Sequence, residues 1–191
     1  PVACVTVAWC LERIAGLSRG QRVLVHGAAG GVGLAALEVA RRAGAEVIAT
    51  VGRAEKREFL LREMLIPESH VLGSRTTQFA EGVMELTGGR GVDVVLNSLA
   101  GDDFIAKSAA VVARAGWFIE IGRTGVWSRD RMAAVRPDVR YEVFDLGAAR
   151  TREPLVCRDL LDDLAARYAA GAADRDRDRR GCSREGRATG G

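Results

Sequence analysis

Residues 22–51, RVLVHGAAGGVGLAALEVARRAGAEVIATV, decide the fold. A short apolar run, RVLVH (22–26), leads straight into a cluster of glycines. The next segment, 31–43, has helical patterning, with Glu38, Arg41 and Arg42 on one stripe and Ala and Leu elsewhere, which suits a helix lying on a sheet. EVIATV (46–51) follows, β-branched and too short for a helix. Strand, glycine turn, helix and strand in this order form one βαβ unit.

The alternation continues outward from that unit. Before it, residues 2–16 read as a helix ended by Gly16. After it come a helix over 54–65, a short strand at 70–72, a helix over 76–86, a strand at 92–96 and a helix over 102–114. GWFIEI (116–121) and residues 139–144 read as the last strands, and an amphipathic helix covers 155–169. Short, nearly all-apolar strands alternating with helices imply a parallel sheet covered on both faces. The expected fold is therefore α/β: a doubly wound, Rossmann-type nucleotide-binding domain. The final stretch, GAADRDRDRRGCSREGRATGG (171–191), has almost nothing apolar and reads as a disordered tail.

The chemistry sits at the glycines. A strict G-x-G-x-x-G fingerprint would place them at 28, 30 and 33; here Ala28 fills the first place, Gly30 and Gly33 match, and Gly31 is extra. Lacking a Cβ, Gly30 and Gly31 let the backbone approach a pyrophosphate whose charge the helix N-terminus meets, and Val32 belongs to the same loop. Gly33 lets the helix pack close to the strand. Such a stretch can also be a plain strand–helix turn, but the flanking strand and helix favour cofactor binding.

About 20 residues past the fingerprint, a domain preferring NAD carries an acid for the ribose 2′-hydroxyl. This chain has Thr50, Val51, Gly52 and Arg53 there, with Lys56 close behind. Cations suit a 2′-phosphate and point to NADPH; the competing reading is a solvated helix start, for which Glu55 and Glu58 speak. Two further strand ends, Asn97-Ser98-Leu99-Ala100-Gly101 and Glu120-Ile121-Gly122-Arg123, are places where a nicotinamide could be touched, or ordinary turns.

Other classes are excluded by composition. The chain has 191 residues and a net charge of +3, from 28 basic and 25 acidic side chains. Six of those arginines and four acids lie from Gly171 onward, so the body is nearly neutral and carries no basic stripe for nucleic acid. No apolar run reaches the about 18 residues of a membrane span. The start, PVACVTVAWCLERIAGL, lacks a basic n-region and a small-residue cleavage site and is a poor signal peptide. Cys4, Cys10, Cys157 and Cys182 form no C-x-x-C and no ligand spacing with His26 or His70, so no metal is expected, and free thiols in the cytoplasm are the simplest reading.

These residues resemble a family. RVLVHGAAGGVGLAALEVARRAGAEVIATVGRAEKREFL, SRTTQFAEGVMELTGGRGVDVVLNSLAG and GWFIEIGRTGV are similar to the enoyl reductase domain of polyketide synthases and its animal fatty acid synthase relative. Both belong to the zinc-free, quinone-oxidoreductase-like branch of the medium-chain dehydrogenase/reductase superfamily. The likeness covers about residues 1–170. It implies that NADPH reduces the α,β-double bond of an enoyl thioester on an acyl carrier protein, among neighbouring synthase domains. It makes Lys56 and Arg75 contacts of the 2′-phosphate, lets Arg53 add another, and makes Asp145 an acidic partner near the nicotinamide. As a bare residue, Asp145 would be read as a helix cap.

The resemblance also marks two departures. Arg123 stands where relatives read a lysine proposed to donate a proton or steady an enolate. A guanidinium, with a pKa above about 12, is no practical proton donor, although it can hold negative charge. The second departure is a missing GroES-like domain. The implied organisation is a connecting helix (1–20), the NADPH-binding domain (21–150), a C-terminal helix (151–170) and the tail (171–191), expected to be a truncated or frame-shifted fragment. Two other readings stay open: a freestanding NADPH quinone oxidoreductase, and a non-catalytic remnant inside a megasynthase.

Overall fold

The computed structural model describes residues 2–167 and 169. Six parallel strands form one sheet: β1 (Arg22–Val25), β2 (Glu46–Val51), β3 (Val71–Gly73), β4 (Val92–Asn97), β5 (Val112–Glu120) and β6 (Arg140–Val143). Their spatial order is β3-β2-β1-β4-β5-β6, the doubly wound order in which the chain reverses direction between β1 and β4. Alternate residues of one strand feed two separate cores. Val23 and Val25 of β1 and Val94 and Leu96 of β4 pack on one face, with Trp9, Leu11, Ala36 and Leu37. Leu24 and Val95 pack on the other, with Phe79, Ile105 and Met132.

Helix α1 (Val2–Val7) and helix α2 (Gly31–Ala43) cover the first face. On the opposite face lie α4 (Phe79–Leu86), α5 (Asp102–Ala110) and α6 (Arg129–Val135); α3 (Ala54–Arg62) joins β2 to β3, and α7 (Leu146–Arg152) follows β6. The N-terminal segment is not one uniform helix. After Val7 it widens to a π-helical stretch over Ala8–Ile14, which buries Ala8, Trp9, Cys10 and Leu11 in succession, more than an α-helical stripe would cover.

Several boundaries move from the sequence expectation for identifiable reasons. The helix expected over 102–114 stops at Ala110, because Val111, Val112 and Ala113 are buried and Val112 already pairs with Val92. The pairing then shifts register before Val94 meets Trp117, with Ala115 at a positive φ of 60° in the bulge. The helix expected over 54–65 ends at Arg62, and Leu65 turns left-handed at φ 54°. The helix expected from 76 starts only at Phe79. The last strand is shorter than 139–144, covering Arg140–Val143.

Two helices are absent from the sequence reading. Both are single short segments whose starts are fixed by one side chain: Ser128 accepts from the Arg131 N–H at 3.1 Å, and Asp145 from the Ala148 N–H at 2.7 Å. The expected last helix is present over residues 154–167. The expected disorder of 171–191 lies outside the described residues.

Candidate cofactor crevice

All six strands run the same way, so the candidate residues gather at the carboxyl ends of the strands, on one edge of the sheet. Thr50 and Asn97 stand close to the ends of β2 and β4, Lys56 in the first turn of α3, and the others just beyond strands. The glycine loop leaves β1, Gly52 and Arg53 leave β2, Arg75 follows β3, Ser98 and Leu99 follow β4, Gly122 and Arg123 follow β5, and Asp145 follows β6. This edge, at the β1/β4 reversal, is where open α/β sheets bind dinucleotides.

The loop is built on glycines spaced three apart rather than on the register expected. Gly27, at φ 63°, makes the left-handed step that Ala28 cannot, and its carbonyl accepts the Gly30 N–H at 2.8 Å. Ala28 is fully buried and donates its N–H to the Thr50 carbonyl at 3.1 Å. At Gly33 a Cβ would stand 2.5 Å from the Ala28 backbone, so helix and strand could not approach this closely with any other residue. At Gly31 a Cβ would meet nothing within 4 Å. The loop therefore presents open backbone at the N-terminus of α2, as a pyrophosphate requires.

Two of the expected contacts hold the crevice by facing inward. Thr50 is fully buried, and its hydroxyl pairs with Nδ1 of His26 at 2.9 Å. Asn97 is fully buried and donates from Nδ2 to the Leu99 carbonyl at 3.0 Å and to Glu120 Oε2 at 2.5 Å. Ser98 is exposed and donates to the His26 carbonyl at 3.2 Å.

The cations at the β2–β3 side are placed differently. Arg53, Lys56 and Arg75 are exposed and have no carboxylate partner among the described residues. On α3 itself, Arg57 is tied to Glu68 at 3.1 Å and Arg62 to Glu58 at 2.9 Å. Arg75 lies across Gly52, its Nε 3.9 Å from where a Cβ of Gly52 would be. At the other end, Val32, Gly122, Arg123 and Asp145 line one cleft of about 590 Å³ together with Phe144 and Leu146. Asp145 is exposed there and also caps α7, so its bare-residue reading as a cap is part of the structure.

Three residues at this edge are given no individual role by the sequence reading, although Glu120 stands in one of its two strand ends. Gly27 was legible in HGAAGG as a glycine three before Gly30. Glu120, at 1% exposure, is a charged residue inside the apolar string GWFIEI, and its burial is the signal. His26 ends an apolar strand. Its Nε2 meets the Ser108 hydroxyl at 2.9 Å, and Phe79 stands edge-on 4.9 Å from its ring.

Comparison with known proteins decides the family. The sequence profile described as zinc-binding dehydrogenase matches residues 31–138. The chain belongs to that family. Within it, the chain belongs to the enoyl reductase branch of polyketide synthases. It is 37% identical to the nucleotide-binding subdomain of the enoylreductase domain of PpsC from Mycobacterium tuberculosis, with a TM-score of 0.77, covering 89% of this chain and 94% of that one. It is 43% identical to the CurK enoyl reductase, TM-score 0.84, over 90% of this chain and 50% of that one. Over 144 residues it is 46% identical to the highly reducing polyketide synthase AN6791 of Emericella nidulans, covering 75% of this chain and 6% of the synthase. Identity to the Escherichia coli quinone oxidoreductase complexed with NADPH is lower, 26%, at TM-score 0.74 over 90% of this chain and 52% of that one.

Zinc does not fit the described residues of this branch member. No group of three His, Cys, Asp or Glu side chains among them could hold a metal ion, and burial pushes the Cys10 thiol well above its ordinary range, away from the thiolate a metal binds. No described helix is long and apolar enough to cross a membrane. A nicotinamide dinucleotide does fit, because the open glycine backbone and the unpaired cations lie along one crevice.

Burial holds the His26 imidazole down to about 3 from an ordinary 6.5, so it stays neutral in the fold. The unfolded chain takes up that proton below about 6.5 and the folded chain does not. Stability is therefore complete above that pH and falls as pH drops toward 3, by up to about 1.4 kcal/mol per unit from this group. Urea denaturation between pH 7 and 5 is expected to show falling stability, and His26→Gln is expected to flatten the slope.

Proposed function

We propose that this chain is the NADPH-binding part of an enoyl reductase acting on α,β-enoyl thioesters carried by an acyl carrier protein, alongside neighbouring polyketide synthase domains in the cytoplasm. The chain spans 5–8% of the length of the curated synthases it matches and about half of the CurK enoyl reductase, so activity and partners rest on likeness together with the site. The observation that carries the cofactor choice is the trio of unpaired cations, Arg53, Lys56 and Arg75, where a NAD-preferring site has an acid.

Bound NADPH would supply a hydride to the β-carbon of the double bond. Gly30, Gly31 and Val32 would hold the pyrophosphate, with Gly33 seating the helix beneath it. Arg53, Lys56 and Arg75 would hold the 2′-phosphate, Gly52 leaving Arg75 room to lie across β2. At the other end, Ser98, Leu99 and Gly122 would flank the nicotinamide. Negative charge gathers on the thioester oxygen as the β-carbon is reduced, and Arg123 lines the cleft where a fixed positive charge would meet it. Because a guanidinium keeps its protons, the α-carbon proton would come from Asp145, from water or from a group outside this chain.

Arg75→Ala and Lys56→Ala are each expected to weaken NADPH binding about tenfold, the loss of one charge-assisted contact, while leaving NADH unchanged. Fluorescence titration checks this, and equal loss for both nucleotides would remove the 2′-phosphate assignment. Reduction of a crotonyl thioester on a carrier protein, compared with quinones, tests the substrate. In the complete reductase domain, Arg123→Ala is expected to slow thioester reduction about 100-fold and Arg123→Lys to accelerate it. Faster turnover of quinones than of the thioester would favour the quinone oxidoreductase reading.

A further inference from the structure

Glu120 is the last residue of β5, buried to 1% exposure among strands, and has no cationic partner among the described residues. Its two oxygens instead take N–H groups from two different strand-end loops. Oε2 accepts from Asn97 Nδ2 at 2.5 Å, and Oε1 from the Gly122 backbone N–H at 2.6 Å. Asn97 itself closes its own turn, donating to the Leu99 carbonyl at 3.0 Å and accepting the Leu99 N–H at 3.2 Å. One carboxylate thus links the loop carrying Ser98 and Leu99 to the loop carrying Gly122 and Arg123.

The backbone repeats the same connection. Asn97 stands opposite Glu120 in the β4–β5 register, and the Ile121 N–H donates to the Asn97 carbonyl at 2.9 Å. The Glu120 carbonyl accepts the Phe144 N–H at 2.8 Å, one residue before Asp145. A Cβ at position 122 would stand 2.7 Å from Oε1, so any larger residue there would push the carboxylate out of its present place. Burial pushes the Glu120 carboxyl up, and the Asn97, Gly122 and Ile121 donors oppose that shift. A buried acid kept at such a cost, and ringed by donors, suits an acceptor-only clasp.

We propose that Glu120 is a positioning residue: its carboxylate ties the loops after β4 and β5 into one rigid lip that sets Gly122 and Arg123 against the nicotinamide half of the crevice. This rests on the cofactor reading above. The 2′-phosphate cations stand on the β2–β3 side of the sheet, so the nicotinamide half lies over β4–β6, where the clasp sits. Glu120 touches neither cofactor nor substrate in this assignment and acts through the two loops.

The test separates the two halves of the nucleotide. The full chain is titrated with NADPH and with the nicotinamide-free fragment adenosine 2′,5′-bisphosphate, while amide exchange is followed at Leu99 and Gly122. In Glu120→Gln one of the two N–H donors must face an amide NH₂ instead of an oxygen. Fragment affinity is expected to stay within about twofold, the enhancement of reduced-nicotinamide fluorescence to fall by at least about half, and exchange at Gly122 to speed up by about tenfold or more. Unchanged nicotinamide fluorescence in Glu120→Gln, or equal loss of fragment binding, would overturn the role. If the parent chain binds neither nucleotide, the cofactor reading is what fails; exchange at Leu99 and Gly122 then judges the clasp alone, faster exchange supporting it and unchanged exchange overturning it.

Discussion

Where α2 crosses the end of β1, Gly33 rests directly on the backbone of Ala28, at a distance that leaves no room for a methyl group. That contact lets the helix begin immediately above the strand, so that its N-terminus opens onto the carboxyl edge of the sheet rather than onto its flank. The rest of the first unit follows from it. Gly27 must turn left-handed to bring Ala28 under the helix, Gly30 must close the turn by donating to Gly27, and Ala28 must be small enough to be wholly buried. A bulkier residue at 33 would lift α2 off the sheet and take the glycine loop with it.

Around that seat, the crevice is stiffened by buried polar links rather than by exposed ion pairs. His26 joins β1 to Thr50 at the end of β2 and to Ser108 on α5, all three buried. Glu120 joins the ends of β4 and β5 through Asn97 and Gly122. These links are expensive to desolvate and are satisfied: among the described residues no buried side-chain nitrogen or oxygen lacks a partner. Along the same edge Arg53, Lys56 and Arg75 are exposed and have no carboxylate partner among the described residues, so a rigid frame carries outward-facing cations. Surface ion pairs elsewhere, such as Arg62 with Glu58, occupy the exposed helix faces and contribute little to the frame.

The elements legible in the sequence are those whose patterning reports burial directly. The helix at 31–43 and the strand at 46–51 stand as read, because glycines bound the one and an unbroken β-branched run makes the other. The short helices α6 and α7 were not legible, since each is set by a single capping side chain and carries too few residues to show a period. Residues 111–115 misled because a bulged strand without regular alternation looks like the end of a helix. In the site, glycines and exposed cations could be found by spacing. Thr50 and Asn97 stand near the ends of β2 and β4, but their inward orientation depends on His26 and Glu120, partners 24 and 23 residues away that no local pattern connects.

The proposed cofactor site depends above all on the open backbone over the Gly33–Ala28 contact seating a pyrophosphate. The most direct measurement is an amide nitrogen–proton NMR titration of the chain with NADPH. The largest shifts are expected at Gly30, Gly31 and Val32, saturating together with smaller shifts at Gly52 and Gly122. Saturable NADPH binding that leaves those three amides unmoved, or that shifts residues at the amino ends of the strands instead, would contradict it.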